Sequence, residues 1–251
     1  MAWVESVSPS FRARHSSADA DDADRVLYSL ERLREQLERV LPRTTGEITV
    51  VLHPGFVGLS LTNPLLPLAW LQTAPAARRY VAGWAGPREI HVLTPASLAR
   101  RASNVPGSRE MLELAPAALY ARRVIAENNR ELRQAKPPVR IALELRWAWL
   151  LEGGARWLAG QTAHARPAIT RRLREGRRPT FPPGPRDAAL LGGTLIDLLA
   201  REEGEAAATR FVCRLHPRGP RAALSEAFGG RALAHTEGAW RSHLARLASA
   251  S

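Results

Sequence analysis

The sequence predicts an α+β fold, with a small N-terminal sheet accompanied by helices and a helical C-terminal half. Apolar residues alternate in short segments, such as Ile48–Leu52, that lie before residue 108 and indicate strands. After that point, the apolar residues recur at helical spacing. A length of 251 residues and a hydrophobic content of 45% are sufficient for a well-buried core. We therefore predict one domain over 1–251, with a sheet-containing half at 8–107 and a helical half at 108–251.

The N-terminal half is predicted to contain three strands and one long helix. Acidic residues from Asp19 to Asp22 favour the start of a helix, because carboxylates stabilise its positive end, and Pro42 stops it. Alternating apolar residues predict strands at 8–15, 47–53 and 88–93.

The segment 55–84 has no regular period, because glycine and proline interrupt it. It is predicted to be a loop with a short helix at 74–81. Within it, Leu59–Trp70 is apolar and carries two prolines. If exposed, this stretch is a surface for a protein or a lipid, and if buried, it closes a groove in the domain. We favour the buried arrangement.

The C-terminal half is predicted to be helical, apart from a basic, proline-rich connector at 166–185. The helices are expected at 108–128, 143–159, 188–201, 205–215, 221–228 and 236–247. Gly192-Gly193 lies inside one of them, where it indicates either close helix packing or a weak point.

The net charge of +12 makes nucleic acid a candidate partner. Lys136 is the only lysine, so 35 of the 36 basic residues are arginine, and acids are interleaved with them over much of the chain. The connector is the best candidate for contact with an anion or RNA. Phe181 is its only aromatic residue, however, and a platform for stacked bases needs more. The connector is therefore predicted to be a solvated loop.

Cysteine usage and hydropathy predict a soluble, cytoplasmic protein without a membrane span. Cys213 is the only cysteine, so no internal disulfide can form. Met1–Ser17 lacks the pattern of a signal peptide, and no apolar run approaches the ~18–20 residues of a membrane helix.

The segment Trp149–Trp157 follows the pattern W-L-x-E-G-x-A, with Glu152 at its centre. It resembles the start of the second active-site helix in the gluzincin branch of zinc metallopeptidases (thermolysin-like and peptidase-MA-like). The Phe-Gly pair at 228–229, followed by Trp240, resembles the end of the same family. The resemblance implies a zincin-like fold and places Glu152 at the position of the third zinc ligand.

The other half of a gluzincin zinc site is missing from the sequence. Family members carry two zinc-binding histidines and a general base in an HExxH motif, which this chain lacks. The corresponding positions are predicted to be Pro116, Ala117 and Tyr120, and none is a good zinc ligand. We therefore expect a lost metal site, with no metal and no cofactor. Glu152 then needs another partner, and Arg156, four residues later, predicts an intrahelical ion pair.

The leading functional hypothesis is a non-catalytic, metallopeptidase-like protein that binds a protein or peptide in the relic groove, along the edge of the strand at 89–93. The predicted binding residues are Glu89, His91, Tyr120, Trp149, Glu152 and Arg156. One alternative is a hydrolase with a site rebuilt from Glu152, Tyr120 and a strand histidine; another is a basic, nucleic-acid-associated protein. His53 and His91 leave open a metal site shared with Glu152.

Overall fold

A five-stranded mixed sheet forms the N-terminal part of the protein in the computed structural model, which describes residues 3–249. The strands are β1 (Trp3–Val7), β2 (Phe11–Ser16), β3 (Ile48–His53), β4 (Gly83–Ala85) and β5 (Glu89–Leu93). Their spatial order is β1-β2-β3-β5-β4. The three central strands are parallel, and the outer strands β1 and β4 are antiparallel to their neighbours. Residues 1, 2, 250 and 251, which the single-domain prediction includes, lie outside the described residues.

Helices make up most of the remaining chain and all of the regular structure after the sheet. They are α1 (Ala20–Glu38), α2 (Phe56–Thr62), α3 (Leu66–Gln72), α4 (Pro75–Arg78), α5 (Pro95–Arg101), α6 (Ser108–Glu113), α7 (Ala115–Asn128), α8 (Arg130–Gln134), α9 (Val139–Arg146), α10 (Ala148–Leu158), α11 (Arg166–Arg174), α12 (Ala188–Glu203), α13 (Glu205–Val212), α14 (Pro220–Ala227) and α15 (Leu233–Ser249). The predicted α+β class is confirmed. Within residues 3–249, no helix is long and apolar enough to cross a membrane.

The inner face of the sheet packs against α1 and α7. Phe11 and Ala13 of β2 point to this face and are buried, while the alternate Arg12 and Arg14 are exposed. The Phe11 ring meets the ring of Tyr120 on α7 edge to face, with 5.0 Å between their centroids. The contact between these two buried rings, one on β2 and one on α7, therefore holds α7 against the sheet.

Helices α10 and α12 cross in close contact at glycines. A Cβ on Gly153 would lie 2.2 Å from the carbonyl carbon of Gly192, and a Cβ on Gly192 would lie 2.1 Å from the Trp149 carbonyl oxygen. Only glycine lets the two backbones approach so closely. Of the two interpretations of Gly192-Gly193, close packing is therefore the correct one.

Four predicted segments differ from the structure. The helix predicted at 143–159 is two helices, α9 and α10, which meet at Trp147. The segment 55–84 was predicted to be a loop with one short helix at 74–81, but it contains three short helices, including α4, and the start of β4. The connector at 166–185 begins with α11. The helix predicted at 108–128 breaks at Leu114, and Pro116 lies in the first turn of α7. Proline is tolerated there because the first backbone N–H groups of a helix have no partner within it.

A buried ion pair attaches the connector to α12. Arg172 Nε lies 2.5 Å from Asp187 Oδ1, and Arg172 Nη2 lies 2.8 Å from Oδ2. Both side chains are almost wholly buried. Arg172 is therefore a structural residue, not one of the solvated arginines that the sequence predicted for the connector.

Candidate functional site

A cleft of about 440 Å³ lies where the edge of the sheet meets the helical half. Helices α7 and α10 form its floor, α3 and α9 flank it, and the start of α12 closes one end. The cleft is open because the helices present small side chains to it. Seven of the alanines that line it lie on helices: Ala69, Ala115, Ala118, Ala148, Ala155, Ala188 and Ala189.

Strand β4 runs along the cleft as the edge of the sheet. Leu93 N–H donates to the Ala82 carbonyl at 3.0 Å, and Gly86 N–H donates to the Glu89 carbonyl at 2.7 Å. Hydrogen-bonded and non-hydrogen-bonded pairs alternate in an antiparallel ladder. The N–H and C=O groups of Gly83 and Ala85 therefore point away from β5. Among residues 3–249, no further strand pairs with this edge.

Gly83 has no room for a side chain. A Cβ at this position would lie 2.1 Å from the His91 carbonyl oxygen and 2.8 Å from Leu119 Cδ1 on α7. The glycine thus allows α7 to pack directly against the edge strand. This contact places the floor of the cleft beside the free backbone groups of β4.

An ion-pair network lies in the cleft around Arg122 of α7. Its Nε donates to Glu152 Oε1 at 2.8 Å, and its Nη2 lies 3.5 Å from Glu144 Oε2. Burial acts to lower the pKa of Arg122, but the Glu152 and Glu144 carboxylates outweigh burial and raise it above its ordinary value. The guanidinium therefore stays charged and joins α7, α9 and α10 across the cleft.

The predicted intrahelical pair of Glu152 with Arg156 is wrong. The carboxylate reaches across to Arg122 instead, because α7 brings that guanidinium within hydrogen-bonding distance. Arg156 donates to Gln161 Oε1 at 3.1 Å and to the Tyr80 carbonyl at 3.4 Å. Burial lowers the pKa of Arg156. Both residues line the cleft, but they pair with other residues and not with each other.

Three predicted relic positions lie outside the cleft. The face of α7 that meets Glu152 carries Ala118, Leu119 and Arg122. Pro116, Ala117 and Tyr120 are buried and do not line the cleft.

Tyr120 and Trp149 are core residues. The hydroxyl of Tyr120 donates to the Thr45 carbonyl at 2.9 Å, and burial raises the pKa of this phenol. Trp149 is buried, with its ring centroid 6.1 Å from that of Phe211. Neither side chain lines the cleft, so both are removed from the candidate binding residues.

The predicted binding strand, Glu89–Leu93, is an interior strand. It pairs with β3 on one side and with β4 on the other, so its backbone groups are already bonded. The free edge belongs to β4, which the sequence did not predict. Glu89 and His91 consequently lie outside the cleft lining.

His53 and His91 lie together on the outer face of the sheet. His53 Nε2 and His91 Nδ1 share a hydrogen bond of 3.0 Å, and His91 Nε2 donates to Glu89 Oε2 at 3.1 Å. Trp84 stacks on His91 with 4.5 Å between ring centroids. Burial, together with the charge of His91, lowers the pKa of His53 to about 4. The hypothetical metal site would need these rings beside Glu152, which lies in the cleft that they do not line.

The residues around Glu152 do not fit the zinc ion that the gluzincin resemblance implies. Of the described residues, no histidine or cysteine lines the cleft, and Arg122 holds the Glu152 carboxylate. Across residues 3–249, no group of three or more His, Cys, Asp or Glu side chains is arranged to hold a metal ion.

Exposed apolar side chains border the cleft on both sides. Leu65, just before α3, is 65% exposed, and Ile141 and Leu145 on α9 are 55% and 58% exposed. The preference for a buried Leu59–Trp70 segment was wrong, since only Leu59 and Leu66 among its leucines are buried. This segment and α9 form an apolar rim.

Comparisons with protein-family models, with curated proteins and with solved structures found no match to this chain. A functional proposal for the cleft is therefore based on its geometry and chemistry alone.

Proposed function

We propose that the protein is a non-catalytic binding protein that holds an extended peptide segment in the cleft, as an added strand beside β4. The outward N–H and C=O groups of Gly83 and Ala85 carry this proposal. No strand within residues 3–249 pairs with them, so they can form hydrogen bonds with the backbone of a bound peptide.

The cleft favours a peptide with apolar side chains at alternate positions. Side chains of an added strand point alternately to the two faces of the sheet. Those on the inner side would enter the alanine-lined space above α7 and α10. Leu65, Ile141 and Leu145 would cover them from the rim, and their burial supplies the hydrophobic part of the affinity.

We infer a relationship to the gluzincins as part of the same proposal. An antiparallel edge strand beside one helix, with a Glu-Gly segment on a second helix, supports it. Backbone pairing at a strand edge needs no metal, so peptide binding would survive the loss of a zinc site. The alternative of a rebuilt hydrolase has less support. Glu152 lies in the cleft, but Tyr120 and the strand histidines lie outside it.

A peptide-library selection with matched proline variants tests the proposal. The purified protein would be panned against a random heptapeptide library, and the selected peptides would be titrated by fluorescence anisotropy. Ala85→Pro removes an outward N–H and leaves the β4–β5 bonds in place, so we expect at least tenfold weaker binding. Ala148→Trp fills the cleft and should have a similar effect.

Val7→Pro on the opposite edge of the sheet is the matched control. Ser8 N–H donates to the Phe11 carbonyl, so by alternation the N–H of Val7 points outward as that of Ala85 does. This variant should bind the peptides like the unmodified protein. Circular dichroism would show that both variants are folded. If Ala85→Pro and Val7→Pro then bound the selected peptides with equal affinity, strand addition at β4 would be contradicted.

A further inference from the structure

A second hollow, of about 430 Å³, lies outside the cleft and is strongly basic. It is lined by Trp70, Pro75, Arg78, Arg79, Arg101 and Arg171. Four of these six residues are arginines and none is acidic. Within residues 3–249, Arg78, Arg79 and Arg101 have no carboxylate within 4.0 Å, and Arg171 only approaches Glu175 at 3.9 Å. Three of the four positive charges in the hollow are therefore uncompensated, and the fourth has only one distant carboxylate.

Neutral groups hold two of these guanidiniums in place. Arg78 stacks on Trp70, with 4.9 Å from its Cζ to the ring centroid, and its Nη2 donates to the Leu71 carbonyl at 2.9 Å. Arg101 donates to the Val81 carbonyl at 2.9 Å. Burial and the charge of Arg79 both lower the pKa of Arg101, as expected for cations held close together. An anion in the hollow would relieve this repulsion.

The helices beside the hollow expose apolar side chains that do not line the cleft. Val57 and Leu61 on α2 are 77% and 81% exposed, and Leu68 and Leu71 on α3 are each 56% exposed. The Phe56 and Trp70 rings, 6.4 Å apart, connect these two helices next to Arg78 and Arg101. Water-exposed leucines bordering an arginine cluster are typical of a segment that lies in a membrane interface.

We propose that α2, α3 and the arginine hollow form a docking surface for a membrane that carries anionic lipids. The arginines complement the lipid phosphates and carboxylates, and the four exposed apolar side chains enter the boundary of the acyl chains. A free nucleic acid would match the arginines but would leave Val57, Leu61, Leu68 and Leu71 in water. The membrane therefore accounts for both halves of the surface, independently of the peptide cleft.

Vesicle co-sedimentation tests this surface directly. The protein would be mixed with vesicles of phosphatidylcholine alone or of phosphatidylcholine with phosphatidylserine. We expect binding only to the mixed vesicles, weakening as salt rises. An arginine near an anionic membrane contributes roughly fivefold in affinity, so the double variant Arg79→Ala/Arg171→Ala should bind roughly 25-fold more weakly. The control Arg12→Ala/Arg39→Ala removes the same charge from exposed arginines outside the hollow and should retain most of the affinity.

The apolar half of the surface distinguishes a membrane from a nucleic acid. Leu61→Ser/Leu68→Ser should weaken vesicle binding about tenfold or more, because both leucines lose burial in the interface. The same double variant should bind the single-stranded RNA polyuridylate as the unmodified protein does. Vesicle binding that is insensitive to these serines, or no binding to phosphatidylserine vesicles at low salt, would overturn the proposal. Retention of polyuridylate without vesicle binding would identify a nucleic-acid surface instead.

Discussion

Replacement of Gly153 by alanine tests the close crossing of α10 and α12. The added Cβ would lie 2.2 Å from the carbonyl carbon of Gly192 and 2.5 Å from its Cα. Carbon atoms prefer ~3.5–4.0 Å, so the helices must separate by more than roughly 1 Å. Both clashing atoms are backbone and cannot rotate away. We take ~3 kcal/mol for the overpacking and subtract ~1 kcal/mol for the better helix propensity of alanine. The free energy of unfolding should fall by about 2 kcal/mol.

Urea denaturation followed by circular dichroism measures this change. With an m-value of ~3 kcal/mol/M, the midpoint should fall by roughly 0.7 M. Gly238→Ala is the matched control, since Gly238 lies in α15 and an added Cβ would have no atom within 4 Å apart from the backbone of its own helix. Alanine there should stabilise the protein by ~0.5–1 kcal/mol. If Gly153→Ala were also stabilising, the proposed contact between the two helices would be refuted.

Three further predictions concern buried polar groups. Arg172→Met leaves Asp187 buried without its cation and should lower the free energy of unfolding by ~3–5 kcal/mol in urea titrations; a loss below ~1 kcal/mol would contradict a buried pair. His53 has a folded pKa of about 4 against 6.5 for the ordinary side chain, so the folded state favours the uncharged ring. The contribution of His53 to the free energy of unfolding is therefore complete above pH 6.5 and decreases by about 3 kcal/mol as the pH falls to about 4. The variant His53→Phe should show a smaller decrease when denaturation is measured over this pH range. Cys213 is half-buried, and this burial raises its pKa to about 12, so the native thiol should react with dithionitrobenzoate far more slowly than in urea; equal rates would contradict its partial burial.

The sequence predicted the elements with a clear apolar pattern. Short apolar segments located β3 and β5, which are buried on both faces, and an apolar stripe located α1, which packs one side against the core. The edge strands β1 and β4 were not separately predicted. Three residues, Gly83 to Ala85, are too few to establish a period, and β4 exists only because β5 and α7 hold it.

The cleft was only partly predictable. Glu152 and Arg156, to which the Glu-Gly segment drew attention, line the cleft. Arg122 was missed because Pro116, Ala117 and Tyr120 were singled out on this helix from the sequence, and none of these lines the cleft. One signal was available: small residues at Ala115 and Ala118 lie on the same helix face as Arg122 and mark the side of α7 that faces open space.

Exposure of the apolar segment could not be read from its composition. Leu59 and Leu66 pack inward, whereas Leu61, Leu65, Leu68 and Leu71 remain in water. Hydropathy is the same for both sets, and only the positions of α2 and α3 against the rest of the domain separate them.

Amide hydrogen exchange of β4, resolved by NMR, tests the central claim most directly. The outward amides of Gly83 and Ala85 should exchange rapidly in the free protein and slow markedly when a selected peptide is added. Trp84, paired with His91 in β5, should change little. This alternating pattern is the result that strand addition predicts. Peptide binding that leaves the exchange of Gly83 and Ala85 unchanged would contradict it.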